Sequence, residues 1–197
     1  MNKTAIIIPT RLAAKRLPNK PLKLIKNKEM ILHVYDAAVK SNVGEVVVAS
    51  PDKQIIEIID QKGGKAVNTS KDHETGTDRV FEVFKNSLNE EPDVIINLQG
   101  DMPNIDPKAI SDLSSYMSKM KCDIGTLASD FISEQEKEDN NAVKVVVKNK
   151  LSQNSFESAL DFFRINKKME NIYHHIGIYG FTNKSLIRYV SLKRSSL

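Results

Sequence analysis

The chain has no tryptophan, and aromatic residues make up only 6% of it. Proteins that hold single-stranded nucleic acid stack bases on aromatic side chains beside basic ones. No aromatic is interleaved with a basic stripe here, so nucleic acid is not an expected partner. One cysteine, Cys122, excludes an internal disulfide and predicts a reducing, cytoplasmic setting. No assembled nucleophile context surrounds that thiol. Long apolar runs are missing too. Nothing approaches the roughly 20 residues that a membrane helix needs, and Pro9 and Arg11 interrupt the first apolar run too early for a secretory signal. Membrane insertion is therefore not expected. Glycine-rich phosphate motifs are absent: neither G-x-x-x-x-G-K-[ST] nor G-x-G-x-x-G occurs.

What is present is a concentration of positive charge. The formal charge is +4 over 197 residues, a length that suits one domain with a real core. The apolar run Ala5-Ile6-Ile7-Ile8 stops at Pro9. Arg11, Lys15, Arg16 and Lys20 follow, punctuated by Pro18 and Pro21. Four cations leaving one short strand fit a ligand with several negative charges, such as a triphosphate. A solvated turn is the competing reading.

The rest of the chain alternates. Residues 4–8, 45–49, 65–68 and 93–98 read as buried strands. Helices are expected at 30–41, 53–62, 78–88 and 108–120, with Asp52 capping the second and Asp106-Pro107 opening the fourth. This pattern predicts an α/β fold: a Rossmann-like, mostly parallel sheet with helices on both faces. Beyond about residue 120 the pattern loosens into a smaller mixed β region. Strands are expected at 123–128, 142–147, 151–160 and 173–181. An acidic solvated segment is expected at 134–141, a loop at 162–171, and a last helix capped by Asn183. The whole reads as a single domain, 1–197, with a nucleotide-binding part at about 1–120 and a sugar-binding and dimerisation part at about 121–197.

In such sheets ligands sit beyond the carboxyl ends of the strands. The basic loop and Gln99-Gly100-Asp101 both fall there. Asp101 is placed to hold a divalent metal, Mg²⁺ being the usual partner of phosphates; a turn cap is the alternative. Thr75-Gly76-Thr77-Asp78-Arg79 reads as a helix N-terminus that caps itself or receives an anion. Alternation puts His175, Gly177 and Tyr179 on one strand face.

Six stretches then carry a resemblance: I-I-P-T-R-L-A-A-K-R-L-P-N-K-P-L, D-H-E-T-G-T-D-R, N-L-Q-G-D-M-P, C-D-I-G-T-L-A, N-A-V-K-V-V and H-H-I-G-I-Y-G-F. In that order and over essentially the whole chain, the sequence resembles the CMP-KDO synthetases (3-deoxy-manno-octulosonate cytidylyltransferases). The resemblance implies transfer of CMP from CTP to KDO with release of pyrophosphate, a step towards lipopolysaccharide. It also implies a Mg²⁺ requirement and a homodimer. By motif, Arg11, Arg16 and Lys20 would hold the triphosphate, with Lys20 and Asp101 as the catalytic pair. Thr75, Gly76 and Arg79 would help hold the cytidine nucleotide, and Gln99 would face both substrates. Asp101 would hold the metal. Arg164, His175 and Tyr179 would contact the sugar acid.

Three departures accompany the match. Met102 stands where many members have Glu. Asp161 and Phe163 depart from L-Y-F-[ST]-R around Arg164. Family members also continue for roughly fifty residues beyond the point matched by Leu197, within the usual size of one domain. That tail carries a Glu-Gln pair near the sugar and a second metal-ligating Asp. Two other readings therefore accompany the enzyme: a nucleotide-binding remnant of the family, and a cytidylyltransferase for a related sugar acid.

Overall fold

Three consecutive isoleucines explain the centre of the fold. β-branched side chains favour extended backbone and pack on both faces of a covered strand. β1 (Thr4–Pro9) is buried along its whole length, with Ile6, Ile7 and Ile8 fully enclosed. Each such side chain contributes roughly 1.5–3 kcal/mol of burial. The computed structural model describes residues 3–13, 17–120, 122–152, 155–165 and 169–193.

A 3-10 turn (Lys20–Leu22) and a two-stranded hairpin, β2 (Leu24–Ile25) and β3 (Lys28–Glu29), follow β1. Sequence patterning did not predict the hairpin; it is too short to show a period. Then come α1 (Met30–Ser41), β4 (Gly44–Ser50), α2 (Lys53–Gln61), β5 (Lys65–Asn68), α3 (Gly76–Asn86), β6 (Val94–Asn97) and α4 (Pro107–Met120). β1 pairs in parallel with β4 and β6, and β4 with β5. The strand order is thus β5-β4-β1-β6. Ile7, Val47, Ala49 and Ile95 meet Val80, Val83 and Phe84 of α3 on one face. α1 and α4 pack together on the other face. The predicted mostly parallel sheet, with helices on both faces, is what forms.

β7 (Ile124–Ser129), α5 (Glu134–Glu138), β8 (Lys144–Val147), β9 (Ala159–Phe163), β10 (Ile172–Thr182) and α6 (Asn183–Ser191) complete the chain. Two compact units result: Met1–Gly125 with Ile178–Leu197, and Thr126–Gly177. In the first, residues 179–182 of β10 pair antiparallel with β6, and Phe181 and Leu186 join the α3 core. In the second, β8 pairs antiparallel with β9 and with residues 172–174 of β10.

Several sequence expectations shift. Of the strand expected at 151–160, only residues 159 and 160 join a strand among the described residues, because the sequence before them is mostly polar and lacks alternation; residues 153 and 154 lie outside the described ones. Leu151 is tied instead by its N–H to the Tyr173 hydroxyl, 2.8 Å. Phe162 and Phe163, expected in a loop, supply the apolar end of β9. Part of the acidic segment forms α5, capped by the Ser133 hydroxyl. Thr182, not Asn183, caps α6.

Candidate active site

The exits of β1 and β6 are pressed together. Leu98 N–H donates to Ile7 O (3.1 Å), extending the ladder past the end of β6. A Cβ on Gly100 would lie 3.0 Å from both Pro9 O and Thr10 Cβ, so the close approach favours glycine there. This contact sets Gln99–Asp101 beside Thr10 and Arg11. Asp52, expected as the α2 cap, makes no side-chain cap bond. Its carboxylate instead accepts Leu12 N–H at 2.7 Å and holds the start of the basic loop. The loop closes through Asn19 N–H to Leu12 O (3.1 Å), with Asn19 in the left-handed region that asparagine tolerates. Lys15 and Arg16 lie outside the described residues.

Lys20 reaches across this junction. Its ammonium stands 2.7 Å from the Asp101 carboxylate. Both side chains stay partly exposed at the rim of a cleft of about 250 Å³. Arg11, Arg79 and Gln99 line the same cleft, as do His73, Glu74, Thr75 and Gly76. Seven of the sequence-predicted residues therefore share one cavity: Arg11, Lys20, Thr75, Gly76, Arg79, Gln99 and Asp101.

α3 builds the opposite wall. Thr75 is its cap, in a reciprocal box: Asp78 N–H donates to the Thr75 hydroxyl (3.2 Å), and the Asp78 carboxylate accepts Thr75 N–H (3.0 Å). The helix starts two residues earlier than the sequence suggested. Arg79 is buried, and its guanidinium donates to the Thr69 hydroxyl and to Ser70 O (2.8 Å). Burial, then the like charge of Arg11, lower its pKa from the usual value. One turn on, the Glu82 carboxylate accepts Ser70 N–H (3.0 Å) and bonds His73 Nε2. Burial pushes the Glu82 carboxyl up, but these bonds outweigh it and its pKa falls below the usual value.

Gln99 is oriented by a buried neighbour. Its amide nitrogen donates to Asn97 Oδ1 (2.8 Å), and Asn97 Nδ2 donates to the Thr77 hydroxyl (3.2 Å). Gln99 Oε1 lies 3.3 Å from where a Gly76 Cβ would sit. Tyr179 is opposite Asn97 in the antiparallel register and packs on Phe181, ring centroids 6.3 Å apart. Burial raises its phenol pKa.

Within the second unit, His175 is buried, bonds the Thr126 hydroxyl through Nε2 (2.9 Å) and meets Phe162 edge-on at 5.0 Å. Burial, then His174, lower its pKa. His174 pairs with Glu136 at 2.9 Å and stacks on Phe131. Arg164 is exposed and donates to Asn141 O (3.0 Å). Lys144 is fully buried and donates to Asp139 O (2.5 Å) and Arg164 O (2.7 Å). The sequence-predicted sugar residues are therefore divided: Arg164 and His175 belong to this unit, and Tyr179 to the first.

Sequence reasoning passed over Asp52 as a loop anchor, along with Glu82, Asn97 and Lys144. Asn97 left a signal, a polar residue inside D-V-I-I-N-L. So did Glu82, which lies on the Arg79 face at i, i+3.

Among the described residues no three His, Cys, Asp or Glu side chains group as metal ligands. Glu74 and Asp101 are the acids that line the cleft. That set does not make an all-protein cage. It does fit Mg²⁺, which takes one or two carboxylates and completes its shell with phosphate oxygens and water.

The sequence model of the cytidylyltransferase family matches residues 5–197. A 3-deoxy-manno-octulosonate cytidylyltransferase of Brucella canis is 39% identical over 198 residues, covering 99% of this chain and 78% of the relative. The enzyme of the same name from Rhodospirillum centenum is 39% identical over 196 residues, covering 98% and 76%. A solved structure of CMP:2-keto-3-deoxy-manno-octonic acid synthetase complexed with CTP superposes with a TM-score of 0.86. It is 36% identical and covers 98% of this chain and 80% of that one.

Proposed function

Since the chain belongs to the cytidylyltransferase family, we propose that it transfers CMP from CTP to 3-deoxy-D-manno-octulosonate and releases pyrophosphate. The observation that carries this reading is the shared cleft, in which Arg11, Lys20, Arg79, Gln99 and Asp101 converge at the carboxyl ends of β1 and β6. A basic rim, an amide and one metal-capable carboxylate are what a nucleoside triphosphate requires.

In the reaction, the sugar hydroxyl oxygen forms a bond to the α-phosphorus of CTP. The bond from that phosphorus to the bridging oxygen breaks, pyrophosphate leaves with the electron pair, and the hydroxyl proton passes to water. Little covalent help from protein is needed, because positioning and charge neutralisation do most of the work. Arg11, Arg16 and Lys20 hold the triphosphate. Thr75, Gly76 and Arg79 form the wall against the cytidine nucleotide, Arg79 by fixing the loop it bonds. Gln99, with its nitrogen committed to Asn97, presents Oε1 between the two substrates. Asp101 would hold Mg²⁺, which when bound neutralises charge on the phosphate oxygens. Of the residues proposed for the sugar acid, Tyr179 lies in the unit that holds the cleft.

The same proposal includes a cytoplasmic homodimer. The lone thiol fits a reducing compartment. Leu160, Phe162, Ile165 and Met169 are exposed apolar side chains of the kind a second copy would cover. Light scattering of the purified chain tests the dimer. Function is tested by pyrophosphate release with CTP and Mg²⁺, comparing KDO with a nine-carbon sugar acid. Turnover that depends on KDO is expected. Binding of CTP without turnover, or preference for the longer acid, would overturn the assignment.

A further inference from the structure

Glu82 is not among the residues lining the cleft, yet it holds one of the cleft's walls. We infer that Glu82 is a positioning residue for the nucleotide site, acting through His73 and Ser70. The inference rests on the reading that this cleft takes CTP.

Residues 70–75 read S-K-D-H-E-T, with no apolar side chain to anchor them. His73, Glu74 and Thr75 nevertheless line the cleft, so something other than hydrophobic burial must hold them in place. Both ends are tied. At one end Thr69 N–H donates to Ser50 O (3.1 Å), and Arg79 donates to Ser70 O (2.8 Å). At the other, Thr75 and Asp78 form the capping box. Between these ends the Glu82 carboxylate takes Ser70 N–H (3.0 Å) and His73 Nε2. Two bonds to one carboxylate are charge-assisted and directional. They fix where His73 stands along the wall and leave the loop little freedom to collapse into the cleft. Arg79 and Glu82, one turn apart, grip the loop from a single helix face. Precision of the wall is thereby set by α3, whose Val80, Val83 and Phe84 are locked into the sheet core.

A mere structural tie would alter stability and both substrates alike. A positioning role predicts a split. Wild type, Glu82→Ala, Glu82→Gln, His73→Ala and the double variant His73→Ala/Glu82→Ala are compared in pyrophosphate release, in calorimetric CTP binding, and in hydrogen exchange of residues 70–75 without ligand. In Glu82→Ala, loss of the charge-assisted bonds raises the KM and Kd for CTP about tenfold, with the sugar-acid KM within about twofold and faster exchange confined to the loop. The double variant is no worse than Glu82→Ala, because the bond that His73 would lose is already gone with Glu82. If the alanine variant does not fold, Glu82→Gln carries the test and still weakens CTP about threefold or more. Unchanged CTP constants, equal weakening for both substrates, or fully additive effects in the double variant would overturn the inference. A wild-type chain that binds no CTP would overturn it together with the cleft reading, and that control separates the two failures.

Discussion

The Lys20 ammonium and the Asp101 carboxylate meet at 2.7 Å, although 81 residues separate them in sequence. Both are partly exposed, and such pairs contribute about 0–1 kcal/mol to stability. Stability therefore gives little reason for the contact. A triphosphate with its metal would part the pair, Lys20 turning to phosphate and Asp101 to the ion. Lys20→Ala is expected to lower kcat/KM for CTP about a hundredfold, while the melting temperature moves by no more than about 2 °C. Steady-state kinetics and a thermal melt on one preparation check this.

Asp101→Asn keeps the shape and removes the charge. With Lys20 released, CTP binding measured without metal should be unchanged or tighter. Turnover should fall about a hundredfold or more and call for higher Mg²⁺. A magnesium titration of the rate reads this out. An unaltered magnesium dependence would remove Asp101 from the metal site.

The Asp52 side chain makes no cap bond, so its loss should not act as cap loss does. Removing a true cap costs about 1 kcal/mol of helix stability. Asp52→Ala should instead free Leu12 N–H and loosen the basic loop. A severalfold rise in the CTP KM is expected, with α2 amides exchanging at wild-type rates.

A methyl group at Gly76 would sit 3.3 Å from both Gln99 Oε1 and Pro9 Cγ. That is tight enough to displace the Gln99 amide, and the backbone there has no positive φ to strain. Gly76→Ala should lower turnover about tenfold or more with little change in melting temperature.

His175 links stability to pH. Burial holds its folded-state pKa below the ordinary value near 6.5. The unfolded chain therefore binds this proton first as pH falls, and the histidine's share of stability is complete above about 6.5 and lost below it. Denaturant melts between pH 8 and pH 5 should show that decline, and His175→Gln should flatten it. A decline of the same size in the variant would assign it to other groups.

The sheet was legible because its strands carry their signal locally. Ala5–Ile8 and Val46–Val48 are apolar runs of strand length, and the helices between them have a clear period. The cleft was legible because chemistry-bearing residues fell at strand exits, which a parallel sheet gathers at one edge. What escaped the sequence was directional. Nothing in S-P-D-K says that the Asp52 carboxylate serves Leu12 forty residues earlier instead of the helix it precedes. Arg79 read with Thr75 and Gly76 as a residue of the cytidine nucleotide's site, and nothing in the spacing showed that its guanidinium bonds Thr69 and Ser70. Lys144 read as part of a strand, and its burial between two carbonyls depends on β9 folding back beside β8. Side-chain partners set by tertiary return of the chain are not encoded by spacing, whereas alternation and caps are.

Phosphorus NMR of the intact chain with CTP, KDO and Mg²⁺ tests the central claim most directly. A new phosphodiester signal from the α-phosphorus should grow in step with pyrophosphate, one for one, as CTP declines, and Lys20→Ala should suppress both signals together. CTP that stays intact, or that yields inorganic phosphate and CDP, would contradict the assignment of this cleft to cytidylyl transfer.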